Sequence, residues 1–206
     1  SASETLRKKS IALLKEEMNR ADSIGADFVI LHTGSASGED KKTARLRAIK
    51  GLREVFKSSK WNAGLLLENT AGERGDITSE IEELAEIMDG LDNRIAGICI
   101  DTCHAFAAGY NLKTNDGISR LSNEIEKYLG RNSVKLIHLN DSKAALGLHK
   151  DRHEHIGSGK IGREGLRRFI THKMFSDIPL ILETPKKKEA DDIRNLKRVR
   201  GLLQKR

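Results

Sequence analysis

Five short apolar runs in this chain each end in a side chain that can bind a metal ion. Residues 28–32 close on His32, 65–68 on Glu68, 98–101 on Asp101, 134–138 on His138 and 179–183 on Glu183. Continuous apolar runs of this length, separated by amphipathic stretches, read as strands buried on both faces of a parallel sheet. The carboxyl ends of such strands converge on one rim, where α/β proteins place their chemistry. About one position in six carries Asp, Glu or His, so five matches in five by chance is roughly a one-in-several-thousand event. The pattern favours a metal site over a set of satisfied polar residues.

Further donors lie close by in sequence. Asp101 and His104 stand three apart, a spacing that serves either two ligands or a histidine capped by an aspartate. Asp151, His153 and His155 alternate, so in an extended segment they share a face and could hold one ion. A lone Glu68 would ordinarily be a salt-bridge partner and a lone His138 a core histidine; their company makes them ligands. A carboxylate such as Glu68 has two oxygens and can bridge two cations. Oxygen and nitrogen donors without an obligatory thiolate suit Zn2+, Mn2+ or Fe2+ in a hydrolytic site. Clustered divalent ions promote in-line displacement at phosphorus. Cys99 and Cys103 are read as reduced thiols and not as a disulfide. The run 157–162 lacks both the preceding strand and the closing motif of a phosphate loop, and reads as a flexible turn. Neither a Ser-His-Asp triad nor a dinucleotide fingerprint is present.

The elements that must position these residues alternate along the chain. Helices are expected over about 3–23, with Ser3 as N-cap, and over 40–59, 79–88, 117–129 and 163–171, followed by a basic C-terminal helix. Strands are expected over 28–32, 63–68, 95–101, 134–138 and 178–183. Residues 104–116 read as an ordered loop or short helix. Residues 139–162 show no clear period, and a loop of that length in a compact domain is usually functional. This βα repetition predicts a parallel α/β fold. Five strands leave an open doubly wound sheet and an incomplete barrel equally available.

At 206 residues, with no break in composition, the chain reads as a single domain over 1–206. No stretch is apolar enough to cross a bilayer and no signal pattern opens the chain, so a soluble, cytoplasmic protein is expected. The net charge of +7 points weakly to a polyanionic partner. The lysines and arginines at 186–188 and 197–206 could touch phosphates or form a solvated helix face.

Five strings carry a resemblance: Glu68-Asn69-Thr70-Ala71-Gly72, the run 100–110 containing Asp101-Thr102-Cys103-His104, His138-Leu139-Asn140-Asp141-Ser142-Lys143, Asp151-Arg152-His153, and Leu180-Ile181-Leu182-Glu183-Thr184-Pro185. Together, in this order from about Thr5 to Gln204, they resemble the endonuclease IV family of base excision repair. The resemblance implies a TIM barrel with a trinuclear zinc cluster on its rim. It also implies cleavage of double-stranded DNA on the 5′ side of abasic sites, and removal of 3′ blocking groups. It places His32 and Glu68 on one zinc. Glu68 then bridges to a second ion held by Asp101, His138 and Glu183, and His104, Asp151 and His153 take the third. Glu68, Asp101 and Glu183 become the catalytic carboxylates, and His155 is left spare.

Family members carry roughly three further strands before the position matching Ser1, with one more histidine ligand to the zinc of His32 and the side chains that wedge into DNA. The chain therefore reads as the C-terminal two-thirds of such an enzyme. Two ions rather than three, activity dependent on the absent strands, and self-association through exposed sheet edges are the corresponding expectations. Two alternatives stand beside this reading. One is a metal-binding but inert fragment or DNA-binding module; the other is a divalent-metal sugar isomerase or epimerase of the same fold group.

Overall fold

A computed structural model describes residues 2–57 and 60–204. Seven α-helices, one 3-10 turn (Glu73–Gly75) and seven strands follow one another in these residues. Helix α1 (Glu4–Ser23) begins where Ser3 Oγ accepts the Leu6 amide. Strand β1 (Phe28–Leu31) leads to α2 (Lys41–Val55), capped by Asp40. Strand β2 (Gly64–Glu68), α3 (Ile81–Asp89), β3 (Gly97–Asp101), α4 (Thr102–Ala108), α5 (Asn115–Leu129) and β4 (Val134–His138) come next. A two-residue hairpin of β5 (Asp141–Ser142) and β6 (His153–Glu154) precedes α6 (Gly162–Ile170), β7 (Leu180–Ile181) and α7 (Ala190–Leu203).

The sheet order decides between the two architectures left open above. Its strands lie β1-β2-β3-β4-β7, every pair parallel, in the same order as in the chain. A doubly wound sheet reverses direction at a switch point. Monotonic order with right-handed crossovers instead keeps the helices on one face and curls the sheet into an arc of a barrel. The core divides accordingly. Leu65, Leu67, Ile98, Ile100, Val134 and Ile137 pack outward with the helices in the main cluster. Leu66, Cys99 and Leu136, with Phe28 and Ile30 against them, form a small inner cluster. Val134 and Leu136 take opposite faces despite their even spacing because the β3–β4 register shifts between Ile98 and Cys99.

Several boundaries differ from those read in the sequence. Helix α2 ends at Val55; the expected last residues of that helix, 58 and 59, lie outside the described residues, as do 205 and 206 of the basic tail. Strand β7 is two residues long, Leu180–Ile181, where it pairs with β4. Residues 102–108 are helical, started by the Asp101 carboxylate. The run 157–162 is not a flexible turn: Asp141, fully buried, accepts the amides of Gly159, Ile161 and Gly162. A side chain at Gly159 would fall 2.4 Å from Ser142 O, so that close approach requires glycine. No helix among the described residues is long and apolar enough to cross a membrane.

Candidate metal centre

Side chains alternate across a strand, so the residue two beyond an inward-facing one also faces inward. Ile30, Leu66, Cys99 and Leu136 face the barrel interior. Two residues further on stand His32, Glu68, Asp101 and His138. Register finishes the alignment: Asp101 pairs with His138, and His138 with Ile181, two residues before Glu183.

Glu68 sits at the centre, buried, with its two oxygens aimed at different histidines. Oε1 is 2.9 Å from His138 Nδ1, and Oε2 is 2.9 Å from His32 Nε2. His138 Nδ1 is also 3.1 Å from Glu183 Oε2. Donor atoms of Glu68, Asp101, His138 and Glu183 all lie within 4.8 Å of one another, as do those of His32, Glu68 and His104. Asp101, His104 and His153 form a third such group. Asp151 Oδ1 lies 3.3 Å from both His104 Nε2 and His153 Nε2. All eight sequence-derived candidates are thus brought onto one rim. His155 is not: it turns to α7, where Asn195 and Arg194 meet its ring. The shared face expected for 151, 153 and 155 therefore ends at His153, because the hairpin closes at Glu154.

The backbone fixes how these rings present their nitrogens. His104 Nδ1 lies 2.9 Å from Asn69 O and His153 Nδ1 3.0 Å from Glu183 O, so each donates its proton to a carbonyl. Both Nε2 atoms are buried, lie 3.3 Å from Asp151 Oδ1 and have no aligned hydrogen-bond partner. Two such nitrogens converging beside a carboxylate oxygen fit a cation that displaces their protons, and the carbonyl–imidazole arrangement behind them is one that orients metal ligands.

The surrounding carboxylates favour charged rings at His104 and His138, and a cation bound there would take the place of those protons. Burial pushes the Glu68 carboxyl up, but hydrogen bonds from His138 and His32 outweigh it and hold it down at about 2. The His104 ring, with Nε2 3.3 Å away, draws Asp151 to about 2. Burial lowers His104, yet Asp101, Asp151 and Glu68 raise it to about 10. Burial likewise lowers His138, and hydrogen bonds to Cys99, Glu183 and Glu68 carry it to about 12. Burial pushes the thiols of Cys99 and Cys103 to about 11 and about 12. They stay neutral, although each stands beside a pair of candidate ligands.

Three residues not singled out by type hold the carboxylates. Asn69 Oδ1 accepts the Asp101 amide and its Nδ2 donates to Asp101 O. Asn140 Nδ2 donates to Asp101 Oδ2 at 2.6 Å, while its Oδ1 accepts the Glu183 amide at 2.9 Å. Thr102 Oγ1 donates to Asn140 O at 2.6 Å. The only signal in the sequence was adjacency, since each stands within two residues of a ligand. Beside the cluster opens a cleft of about 360 Å³ lined by His32, Ser35, Asp76, His104, Asp151 and Arg152, among others.

Comparison with known proteins places this rim. The family model for the xylose isomerase-like TIM barrel matches residues 1–204. A probable endonuclease 4 from Aquifex aeolicus is 44% identical over 206 residues, covering 99% of this chain and 72% of its own length. The chain belongs to the endonuclease IV family. The probable endonuclease 4 of Halothermothrix orenii is 45% identical over 183 residues, 88% of this chain and 66% of that protein. The crystal structure of endonuclease IV from Thermus thermophilus superposes with a TM-score of 0.79 at 35% identity, covering 95% of this chain and 68% of that one. A D-tagatose 3-epimerase-like protein superposes at 0.72 with 20% identity, which shows the shared fold alone. The chain thus spans about two thirds to three quarters of the length of these endonucleases.

Proposed function

We propose that this chain carries a two- or three-ion zinc centre that hydrolyses double-stranded DNA at abasic sites. Membership of the endonuclease IV family makes it a nuclease, a hydrolase of the base excision repair type. The observation that carries the metal reading is Glu68, whose two oxygens address two separate clusters of donors. Asp101, His138 and Glu183 would complete one cluster with it; His104, Asp151 and His153 would form a second; His32 would serve a third.

Divalent ions bound there supply Lewis-acid polarisation of the phosphodiester and neutralise the charge that develops in displacement. The protein's part is positional. Asn69 and Asn140 hold Asp101 rigid, and Asn140 ties it to the Glu183 backbone. Glu183, half-exposed beside His138, would take a proton from an attacking water. That water's oxygen joins phosphorus, the bond from phosphorus to the 3′-oxygen breaks, and the departing oxygen takes a proton from solvent to leave as a 3′-hydroxyl while Glu183 returns its proton to solvent. Arg152 and Arg74 line the cleft and offer guanidinium groups to flanking phosphates.

Strands β1 and β7 each lack a neighbour on one side among the described residues. An apolar groove of about 490 Å³ lies along β1 between α1 and α2. Self-association through these edges belongs to the same reading, and a strictly monomeric sedimentation profile would contradict it.

The test is a labelled duplex with one abasic-site analogue, incubated with the chain before and after chelation and zinc return. Cleavage on the 5′ side that disappears with chelator and returns with zinc is expected. Equal cutting of undamaged duplex, or cutting indifferent to chelator, would overturn the proposal.

A further inference from the structure

Asp151 stands near the end of a long segment without regular structure, residues 143–152. What fixes it comes from far away in the chain. The turn after β2 reaches across to this segment through the Ala71 carbonyl and the Glu73 side chain. His149 Nδ1 lies 3.1 Å from Ala71 O and donates to it. The Asp151 amide donates to Glu73 Oε2 at 3.1 Å. Lys150 Nζ stands 3.5 Å from Glu73 Oε1, and Arg152 Nη1 3.5 Å from Oε2. Three consecutive residues therefore converge on one carboxylate, and the central one is a candidate ligand.

The turn that delivers Glu73 is built at some cost. Gly72 has φ +80°, and a side chain there would come within 2.6 Å of His149 Nδ1. Arg74, with φ 53°, holds a left-handed conformation without being glycine, a strain of roughly 1–3 kcal/mol. That strain goes into a turn that aims Glu73 at the ligand segment. Glu73 belongs to none of the groups whose donor atoms converge for an ion, and both its oxygens face the cations and amide of 150–152.

We propose that Glu73 is a positioning residue of the metal centre: it holds the Asp151 backbone so that the Asp151 carboxylate meets His104 and His153. The proposal rests on the metal reading above. With Glu73 gone, the Asp151 amide loses its acceptor, and Lys150 and Arg152 lose the charge that gathers them. Asp151 Oδ1 would then leave the two Nε2 atoms that it now approaches to 3.3 Å.

The experiment measures zinc affinity and stoichiometry, the visible spectrum of the cobalt-substituted protein, and hydrogen exchange at the Asp151 amide. It uses the full chain and its Glu73→Ala, Glu73→Gln and Glu73→Asp variants. Glu73→Ala should weaken one class of ion site about 10–100-fold, the usual consequence of removing support behind a ligand, and leave the other class unchanged. Its cobalt spectrum should change and the Asp151 amide should exchange faster. Glu73→Gln keeps an oxygen acceptor and should recover most of the affinity. Glu73→Asp, one methylene short, should fall between the two. Wild-type affinity, spectrum and exchange in Glu73→Ala would overturn the role of Glu73 while leaving the metal centre standing. An ion-free wild-type chain after zinc loading would overturn both. If Glu73→Ala does not fold, the other two variants decide: Glu73→Asp binding as tightly as Glu73→Gln, with equal amide protection, contradicts the proposal.

Discussion

Glu68, Asp101 and His138 come from the middle of the sheet, whereas His32, Asp151 and Glu183 come from its edges and loops. The first three side chains are almost fully buried, with Asp101 at 0% exposure; the second three are about half exposed. Central strands β2, β3 and β4 each pair on both sides, so ladder and register fix the backbone that carries their last side chains, and Asn69 and Asn140 add bonds at Asp101. Edge and loop ligands have no such frame. Each depends on a contact from elsewhere: Glu183 on Asn140, Asp151 on Glu73, and His32 on Glu68 itself. Rigid position is thus inherited mainly from the sheet in one half of the site and assembled by single contacts in the other.

That contrast can be broken at its strongest point first. Glu68→Gln removes the bridging charge from the sheet-borne half and should lower kcat/KM on an abasic-site duplex about a thousandfold or more, ~4 kcal/mol of transition-state stabilisation. Retained activity would mean that the central ligands are not the working ones. Asn140→Ala strikes where the two halves are tied, taking the donor from Asp101 Oδ2 and the acceptor from the Glu183 amide. It should weaken zinc binding about 10–100-fold and cost about 1–3 kcal/mol in urea unfolding. A loss confined to stability, with zinc affinity intact, would show that the tie does not serve the centre. His32→Ala, on the exposed edge, should cost only about tenfold in activity, ~1.4 kcal/mol; a loss matching that of Glu68→Gln would erase the distinction. The mildest test needs no mutation. Amides of β3 should exchange with solvent far more slowly than those of β1 and β7, and equal rates across the sheet would remove the mechanical basis of the comparison.

The same divide governs what could be read from the sequence. Glu68, Asp101 and His138 were legible because a buried strand announces itself as an apolar run and its end marks the rim. His104 was visible by type, but its helix was hidden because Asp101 serves at once as strand end, candidate ligand and N-cap. The β5–β6 hairpin is too short for any period to register. Asp151 and His153 were found through their alternation and through the family strings, yet nothing local tells why His155 turns away; that depends on Asn195, 40 residues on. Glu73 left no trace, since it acts on an amide 78 residues away and the chemistry of that amide is the same in every residue. The choice between an arc of barrel and a doubly wound sheet was legible only through the family strings, because it lies in strand order and not in the strands.

The most direct test of the central claim is anomalous diffraction at the zinc edge from crystals of the zinc-loaded chain. A peak about 2.0–2.2 Å from donor atoms of Glu68, Asp101, His138 and Glu183 is expected, with a second beside His104, Asp151 and His153. Crystals soaked in zinc that show no peak at Glu68, or peaks only at surface histidines such as His172, would contradict it.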